Sequence, residues 1–325
     1  MPLPKVAIID DSQNVALASA DWDLLKGKAD ITVFQEPLGA LDETARLLAP
    51  FDIIVPMRER TVFSAALINS LPNLRMIALT GGRAPTLDLA ACSARKIIVS
   101  NTGGQHSTAS TAELAFGLIL ACARRIPQAD ATMRQGGWHE GLNMGFSLSG
   151  KTLGIVGLGR LGSLVAAYGR AFGMDVIAWS QNLTSEVAQA AGCRRVEKQE
   201  LFRQADIVSI HMVLSERSRG LVGKAELDLM KDNAVLVNTS RGPLVDEHAL
   251  LDKLHSRTIW AAVDVFDEEP LPTVHSFRSA PNLVLTPHLG YSTKAVFDQF
   301  YGESLENILA FLAGKPIRIL NPEAL

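Results

Sequence analysis

The sequence contains few cysteines and no long apolar run. Its three cysteines, Cys92, Cys122 and Cys193, are odd in number and widely spaced, so we predict neither a disulfide framework nor a metal site. No stretch of about 18 apolar residues occurs, and the start MPLPKVAIIDDS has no basic segment followed by a long apolar one. We therefore expect a cytoplasmic protein that neither spans a membrane nor is exported.

The sequence also lacks an excess of either charge. Its net charge is −3 over 325 residues, which creates no strong field toward nucleic acid or an anionic membrane. We expect small-molecule partners, with no nucleic acid and no membrane among them. The length exceeds what one ordinary core fills, so two lobes with a cleft between them are predicted.

Short apolar runs alternate with helix-like segments along the chain. Because this alternation is typical of parallel strands with crossover helices, it predicts an α/β fold with two doubly wound parallel-sheet lobes. The predicted strands lie at 5–9, 31–34, 52–55, 75–79 and 96–100, and again at 152–157, 175–180, 206–212, 234–240, 259–266 and 282–288.

One helical segment, TAELAFGLILACARRI at 111–126, is apolar on nearly every face. A helix of that kind must be covered on several sides. It is either an internal core helix or a subunit interface, and its periodicity does not choose between them.

A glycine motif follows the first strand of the second group. Gly157, Gly159 and Gly162 have G-x-G-x-x-G spacing between a predicted strand and a predicted helix, the context in which such a turn binds the pyrophosphate of a dinucleotide. The next strand ends at Ser180, where an acid would bind the adenosine ribose of NAD. We predict NAD as the cofactor, with NADP possible because serine does not repel a 2′-phosphate.

Polar residues follow several strands of the second group. Ligands of open α/β sheets bind at the carboxyl ends of the strands, so His211, Arg241 and His288 are candidates, as are the three adjacent acids Asp267, Glu268 and Glu269 in DVFDEEPLP at 264–272. Hydride transfer to a keto acid needs two groups. One is a cationic side chain that binds the substrate carboxylate, and the other is an acid/base such as a histidine that a protein carboxylate orients. Periodicity does not decide whether His211 or His288 is the acid/base, nor which of the three acids takes part.

Four runs occur in the order GKTLGIVGLGRLG, NTSRGPLVDEHAL, AAVDVFDEEPLP and LTPHLGYST. Together they resemble the NAD-dependent D-2-hydroxyacid dehydrogenases, which include D-lactate, glyoxylate/hydroxypyruvate and D-3-phosphoglycerate dehydrogenases. The similarity extends over nearly the whole chain. It implies an oxidoreductase that transfers hydride between a nicotinamide cofactor and C2 of a small 2-keto or 2-hydroxy acid.

The resemblance also implies roles for individual residues. Arg241 would bind the substrate carboxylate and carbonyl, and His288 would be the acid/base, paired with Glu269. A carboxylate beside an imidazole favours its protonated form and fixes its tautomer. Asp267 and Glu268 would then be solvated. The implied cofactor-binding residues are Gly157, Gly159, Arg160, Leu161, Gly162, Ser180, His211, Met212, Val213, Thr239, Ser240, Asp264 and Gly290.

The resemblance divides the chain into a discontinuous, flavodoxin-like substrate domain, 1–101 with 291–325, and a Rossmann dinucleotide-binding domain, 102–290. It favours the interface reading of 111–126 and hence a homodimer. The residues Arg83, Ala84 and Pro85 depart from the family's usual loop after the fourth strand. The implied substrate-binding residues are Arg58, Thr80, Gly81 and Gly82, although Arg58 fits a solvated loop arginine equally well.

A protein of another class fits the same motifs. The family resembles co-repressors that keep the dehydrogenase fold and sense NAD(H), and such proteins can retain Arg241, Glu269 and His288. Turnover with a keto acid distinguishes the two hypotheses, because a sensor would bind the dinucleotide without reducing any acceptor.

Overall fold

The computed structural model describes residues 2–82 and 85–325, so Arg83 and Ala84 lie outside the described residues. The chain divides into two compact units. Unit 1 consists of Met1–His106 with Thr293–Leu325, and unit 2 is the continuous stretch Ser107–Ser292.

Unit 1 contains a sheet of five short strands, all paired in parallel. They are β1 (Lys5–Ile8), β2 (Asp30–Val33), β3 (Ile53–Val55), β4 (Met76–Leu79) and β5 (Ile98–Asn101). Their order is β2-β1-β3-β4-β5, as in flavodoxin-like folds. Strands β3 and β4 are buried at every position, which explains why their sequences are continuous apolar runs.

Three crossover helices connect these strands. They are α1 (Leu41–Leu48), α2 (Ala65–Asn69) and α3 (Leu89–Ala94), with short 3₁₀ turns at Ala16–Ala18 and Trp22–Leu25. Ser64 and Asp88 begin α2 and α3 by accepting hydrogen bonds from the free amides of the first turn. Leu48, Leu67 and Cys92 then pack into one core on the sheet.

Unit 2 contains a sheet of seven strands, again all parallel. They are β6 (Thr152–Val156), β7 (Asp175–Trp179), β8 (Arg194–Arg195), β9 (Ile207–Ile210), β10 (Val235–Asn238), β11 (Trp260–Val263) and β12 (Leu283–Leu285), in the order β12-β11-β10-β9-β6-β7-β8. The first strand of this sheet, β6, lies in its middle. Strands β7 and β8 are added on one side of β6 and strands β9 to β12 on the other, so the strand order reverses between β6 and β9. This is the Rossmann arrangement, in which ligands bind where the strand order reverses.

Helices cover both faces of the second sheet, and one long helix ends the chain in unit 1. The helices of unit 2 are α4 (Gln105–Arg124, which begins two residues before the unit), α5 (Ile126–Arg134), α6 (Arg160–Ala171), α7 (Ser185–Ala190), α8 (Lys198–Gln204), α9 (Lys224–Leu227) and α10 (Glu247–His255). The final helix is α11 (Lys294–Leu312), and short 3₁₀ turns lie at Gly242–Leu244, Ser276–Ser279 and Pro322–Ala324.

Helix α4 contains most of the apolar segment 111–126, for which the sequence did not distinguish a core helix from a subunit interface. It buries Ala112, Ala115, Phe116 and Ile119 in the core of unit 2, while Glu113, Gly117 and Arg124 are exposed. The helix is therefore a core helix of unit 2 that leaves a strip containing Glu113, Gly117 and Arg124 exposed. It ends at Arg124 because the next residue, Arg125, has a left-handed φ of 57°.

The α/β fold class with two parallel sheets is confirmed. The eleven predicted strands all occur, each within a few residues of its predicted position, and the missed strand is the two-residue edge strand β8. Over the described residues, no helix combines the length and the apolarity that crossing a bilayer requires.

Candidate active site

Three neighbouring strands end at the same edge of the unit 2 sheet with reactive side chains. Arg241 follows β10, Glu269 follows β11 and His288 follows β12, and these strands are hydrogen-bonded neighbours in that order. Because parallel strands share one carboxyl edge, the topology gathers residues that are up to 47 positions apart in sequence.

His288 and Glu269 form a direct pair. The distance from His288 Nδ1 to Glu269 Oε2 is 2.5 Å, with the two side chains 22% and 34% exposed. An ionised carboxylate only accepts hydrogen bonds, so Nδ1 carries a proton, and Nε2 is the nitrogen that can exchange one with a substrate. The Tyr291 ring contacts the imidazole edge-on, with ring centroids 5.9 Å apart.

Glu269 is held as a carboxylate. Burial tends to raise its pKa, but the hydrogen bond and charge of His288, the Phe266 amide and the charge of Arg241 outweigh burial and lower the pKa. The Phe266 amide donates to Oε1 at 2.9 Å, which leaves Oε2 for the histidine. At neutral pH Glu269 is therefore ionised and oriented. The other two acids of the run, Asp267 and Glu268, are exposed.

Two hydrogen bonds to backbone carbonyls and the close packing of the next residue, Gly242, hold Arg241 in place. Asn238 donates from its side chain to the Arg241 carbonyl at 2.9 Å, and Arg241 Nη1 donates to the Ser240 carbonyl at 2.6 Å. Gly242 packs so closely on the backbone of 266–267 that a Cβ there would lie 2.5 Å from the Asp267 amide nitrogen. The glycine of the S-R-G-P run is the sequence signal for this contact between the two strand ends, but it does not reveal which backbone Gly242 packs against.

His211 is a different kind of histidine from His288. Burial lowers the pKa of His211 to about 3, and its Nε2 lies 2.9 Å from Ser209 Oγ. The ring is therefore uncharged at neutral pH and poorly matched to proton transfer there. Of the two histidines between which the sequence did not choose, the geometry favours His288 as the acid/base.

The glycine motif forms the turn from β6 to α6. Gly157 has a φ of +101°, and a Cβ on it would lie 2.5 Å from the His211 carbonyl oxygen. Gly162 faces the Gly157 carbonyl with no room for a Cβ, whereas a Cβ on Gly159 would meet no described atom within 4 Å. Two of the glycines thus serve packing, and the third presents bare backbone at the start of a 12-residue helix.

Replacing Gly162 by alanine should therefore destabilise unit 2. The new Cβ would collide with backbone rather than with a movable side chain, and overpacking of this kind costs about 1–3 kcal/mol. We expect a lower melting temperature and weaker dinucleotide binding, measured by thermal unfolding and NADH titration. Gly159→Ala is the matched control, with weaker binding and a much smaller change in melting temperature. Equal melting temperatures for both variants would contradict this account of the turn.

Two buried polar atoms near this turn support a bound dinucleotide. Among the described residues, neither His211 Nδ1 nor Thr239 Oγ1 has a hydrogen-bond partner. They follow paired positions of β9 and β10, so they are side by side at the carboxyl edge of the sheet, next to the point between β6 and β9 where the strand order reverses. Buried polar groups without partners are rare, and a ligand that bonds to them would remove the penalty. The residues present fit a dinucleotide.

The other predicted cofactor residues differ in how exposed their side chains are and in whether they already form hydrogen bonds within the protein. Met212 is half-buried beside Gly157, Val213 is 83% exposed, and Ser180 is half-buried just after β7. Ser240 Oγ donates to the Ile210 carbonyl at 2.8 Å. The first two residues of α6 are the exposed Arg160 and the half-buried Leu161.

Asp264 and Gly290 are hydrogen-bonded to each other. Asp264 is only 1% exposed, and its carboxylate accepts hydrogen bonds from the Leu289 amide at 2.7 Å and the Gly290 amide at 2.9 Å. Burial raises the pKa of Asp264, and these hydrogen bonds act in the opposite direction. As placed, the carboxylate holds the loop that carries His288.

The predicted substrate residues lie at the carboxyl edge of the unit 1 sheet. Arg58, after β3, has a left-handed φ of 53°, and its amide donates to Thr80 Oγ1 at 2.8 Å. Its side chain lies beside Gly81 and forms an ion pair with Glu59 at 3.4 Å. The Gly81 amide already donates to Thr102 Oγ1 at 2.6 Å, whereas Gly82 is exposed.

The three cysteines are free thiols in the interior. Cys92, Cys122 and Cys193 are buried, and burial raises the pKa of the Cys92 and Cys122 thiols to about 12. Within 2–82 and 85–325, no group of three or more histidine, cysteine, aspartate or glutamate side chains is placed to hold a metal ion.

The seven-stranded sheet with its glycine turn defines a Rossmann dinucleotide-binding domain, and comparison with known proteins identifies its family. Residues 116–290 match the model of the D-isomer specific 2-hydroxyacid dehydrogenase NAD binding domain. The chain is 40% identical over 266 residues to the glyoxylate reductase of Aeropyrum pernix, with 79% of each chain covered. It is 37% identical over 274 residues to the hydroxypyruvate reductase of Thermotoga maritima, covering 83% of this chain and 87% of that protein.

Among solved structures, the crystal structure of a phosphoglycerate oxidoreductase from Vibrio cholerae O395 superposes with a TM-score of 0.90 at 35% identity, covering 96% of this chain and all of that one. The chain belongs to the D-isomer specific 2-hydroxyacid dehydrogenase family. It is an NAD(P)-dependent oxidoreductase that acts on CH–OH groups. The resemblance seen in the sequence and the predicted enzyme class are both confirmed.

Proposed function

We propose that this protein reduces a small 2-keto acid to the D-2-hydroxy acid, with Arg241, Glu269 and His288 as its catalytic residues. The observation that carries the proposal is the ordered Glu269–His288 pair, next to Arg241, on three adjacent strand ends. This arrangement supplies a cation for the substrate carboxylate and a proton donor for its carbonyl oxygen.

The proposed reaction balances in atoms and charge. When bound, the nicotinamide cofactor would supply the hydride, and with it two electrons, to C2 of the keto acid. The C=O π bond breaks, and its electron pair goes to the oxygen, which takes a proton from His288 Nε2. Glu269 stabilises the protonated ring before that transfer and fixes its tautomer. Arg241 binds the carboxylate and polarises the carbonyl, as a planar guanidinium can do with two parallel hydrogen bonds.

We propose NAD as the cofactor, with unit 2 as the dinucleotide-binding domain and unit 1 as the substrate domain. We assign three groups to dinucleotide binding: the glycine turn, His211 Nδ1 and Thr239 Oγ1. Ser180 follows β7 where an acid would select NAD, so NADP remains a possible second cofactor.

Replacing Ser180 by aspartate should sharpen the preference for NAD. A carboxylate there would repel the 2′-phosphate of NADPH and could accept hydrogen bonds from the ribose hydroxyls of NADH. We expect the ratio of kcat/KM for NADH over NADPH to rise by about tenfold or more, because repulsion between two like charges at about 4 Å is on the order of 1–4 kcal/mol near a protein surface. The ratio is measured with one acceptor. Gln189→Asp, which adds the same charge on the exposed face of α7, is the control. An unchanged ratio in Ser180→Asp would show that Ser180 does not face the ribose.

The substrate that we propose is of the size of glyoxylate or hydroxypyruvate, because reductases of both names are among the relatives. Arg58, Thr80, Gly81 and Gly82 remain our prediction for substrate binding in unit 1. We also propose that the protein works as a homodimer in the cytoplasm, with the exposed strip of α4 at the interface, and that it binds neither nucleic acid nor membranes.

The test is the initial rate of NADH oxidation, and then of NADPH oxidation, with a panel of acceptors. The panel consists of glyoxylate, hydroxypyruvate, pyruvate, phenylpyruvate and 3-phosphohydroxypyruvate. We expect the highest kcat/KM with one of the first two and a lower rate with NADPH. Tight binding of NADH without turnover of any acceptor would contradict the proposal and favour the NAD(H)-sensing alternative.

A further inference from the structure

His288 occupies a backbone conformation that needs support. Its φ is +55°, in the left-handed region that favours glycine and that other residues adopt only where the surrounding structure holds them there. The residue lies in the loop Thr286–Gly290, directly after β12. Something in the surrounding structure must therefore hold the loop in place, and the pairing with Glu269 acts only on the end of the side chain.

A single buried carboxylate holds this loop on both sides of His288. Asp264 Oδ1 accepts from the Thr286 hydroxyl at 2.6 Å and from the Leu289 amide at 2.7 Å, and Oδ2 accepts from the Gly290 amide at 2.9 Å. These donors lie two residues before the histidine, one residue after it and two residues after it. The shortest of the three bonds is the one to the side chain of Thr286.

A second threonine holds the far end of the loop. Thr111 of α4 places its hydroxyl 2.9 Å from the Gly290 carbonyl oxygen and 2.8 Å from the Ser107 carbonyl oxygen of its own helix, so its one proton is shared between the two carbonyls. A Cβ on Gly290 would lie 3.0 Å from Thr111 Cγ2 and 3.3 Å from Asp264 Oδ2, so the glycine is closely confined between the two. Gly290 is thus bonded through its amide on one side and its carbonyl on the other.

We infer that Thr286 and Thr111 are positioning residues for the acid/base His288, Thr286 through Asp264 and Thr111 through Gly290. The inference rests on the proposed function, because it assigns a purpose to the placement of His288. Neither threonine needs to touch substrate or cofactor. Their hydroxyls set where the imidazole lies relative to Glu269 and to the reacting carbonyl.

The Thr286 hydroxyl can be removed with almost no change of shape. Thr286→Val leaves the buried carboxylate without its shortest hydrogen bond, and Thr286→Ser keeps the hydroxyl. A displacement of about 1 Å at a reacting group can cost about 10²-fold, so we expect kcat to fall about 10- to 100-fold in the valine variant and to stay within about threefold in the serine variant. The dissociation constant for NADH, measured by quenching of tryptophan fluorescence, should be nearly unchanged in both.

Two further variants control the experiment. Thr258→Val removes a hydroxyl that donates to the Lys253 carbonyl at 3.3 Å, at the opposite end of the sheet, and should leave kcat unchanged. His288→Ala separates the two proposals. If His288→Ala keeps full turnover, the proposed acid/base is wrong. If it loses turnover while Thr286→Val keeps it, only the positioning inference is wrong.

Rescue by serine distinguishes hydrogen bonding from packing. A serine variant as slow as the valine variant would overturn the inference, because the hydroxyl would then not matter. If Thr286→Val does not fold, Thr111→Val and Thr111→Ser provide the same comparison from the other side of the loop. There we expect the valine variant to lose about three- to tenfold in kcat, and equal rates for the two would overturn the inference.

Discussion

Replacing His288 by alanine is expected to lower kcat by about 10²–10⁴-fold, the usual cost of removing a positioned acid/base. His288 is 2.5 Å from an ionised Glu269, whereas burial lowers the pKa of His211, the other histidine that directly follows a strand at this edge, to about 3. The measurement is kcat for NADH oxidation with the best acceptor. NADH affinity should change little, since the loss lies in the proton transfer.

Two companion variants make this result specific. Glu269→Gln keeps the shape but loses the negative charge that stabilises the protonated imidazole, so its kcat should lie between those of the wild type and His288→Ala. His255→Ala, at the exposed end of α10, removes a histidine without approaching the site and should keep wild-type turnover. A His288→Ala variant as fast as His255→Ala would exclude His288 as the acid/base.

Replacing Arg241 by lysine is expected to lower kcat/KM by about 10²–10³-fold, although the charge is kept. Lysine is a point charge on a flexible stem and cannot form two parallel hydrogen bonds to a carboxylate, whereas loss of one oriented donor at a developing negative charge already costs about that much. The measurement is the dependence of rate on acceptor concentration, which separates KM from kcat.

The control for Arg241→Lys is the same exchange at Arg203, an exposed residue of α8. Arg203→Lys should leave both kinetic constants unchanged. If Arg241→Lys keeps the wild-type kcat/KM, then Arg241 is not the carboxylate anchor, and its proximity to Glu269 serves only the electrostatics of that residue.

Much of the fold was predictable because buried parallel strands have a strong sequence signal. Strand β4 is apolar at every position and β9 at every position except Ser209, and both strands are fully buried. Strand β8 was not predictable. Its two residues, Arg194 and Arg195, are charged, lie at the sheet edge and pair only with β7, so neither apolar content nor periodicity marks them.

The candidate site was predictable to a similar degree. The sequence placed Arg241 and His288 after strands, and the resemblance selected Glu269 from three adjacent acids. The contacts between strand ends were not predictable, since pairings such as Gly242 against 266–267 and Thr286 with Asp264 depend on tertiary register. Asp264 is a second example, because the resemblance implies only a cofactor role for it, and the hydrogen bonds from its buried carboxylate to the loop of His288 cannot be read from the sequence.

The most direct test of the central claim is the transfer of deuterium from NADH labelled at the reactive C4 position. Wild-type protein, labelled NADH and glyoxylate or hydroxypyruvate would be incubated, and the product examined by mass spectrometry and NMR. We predict one deuterium at C2 of the 2-hydroxy acid, and a strongly reduced yield with His288→Ala. Bound NADH with no deuterium at C2 of any acceptor in the panel would contradict the claim that this site performs hydride transfer to 2-keto acids.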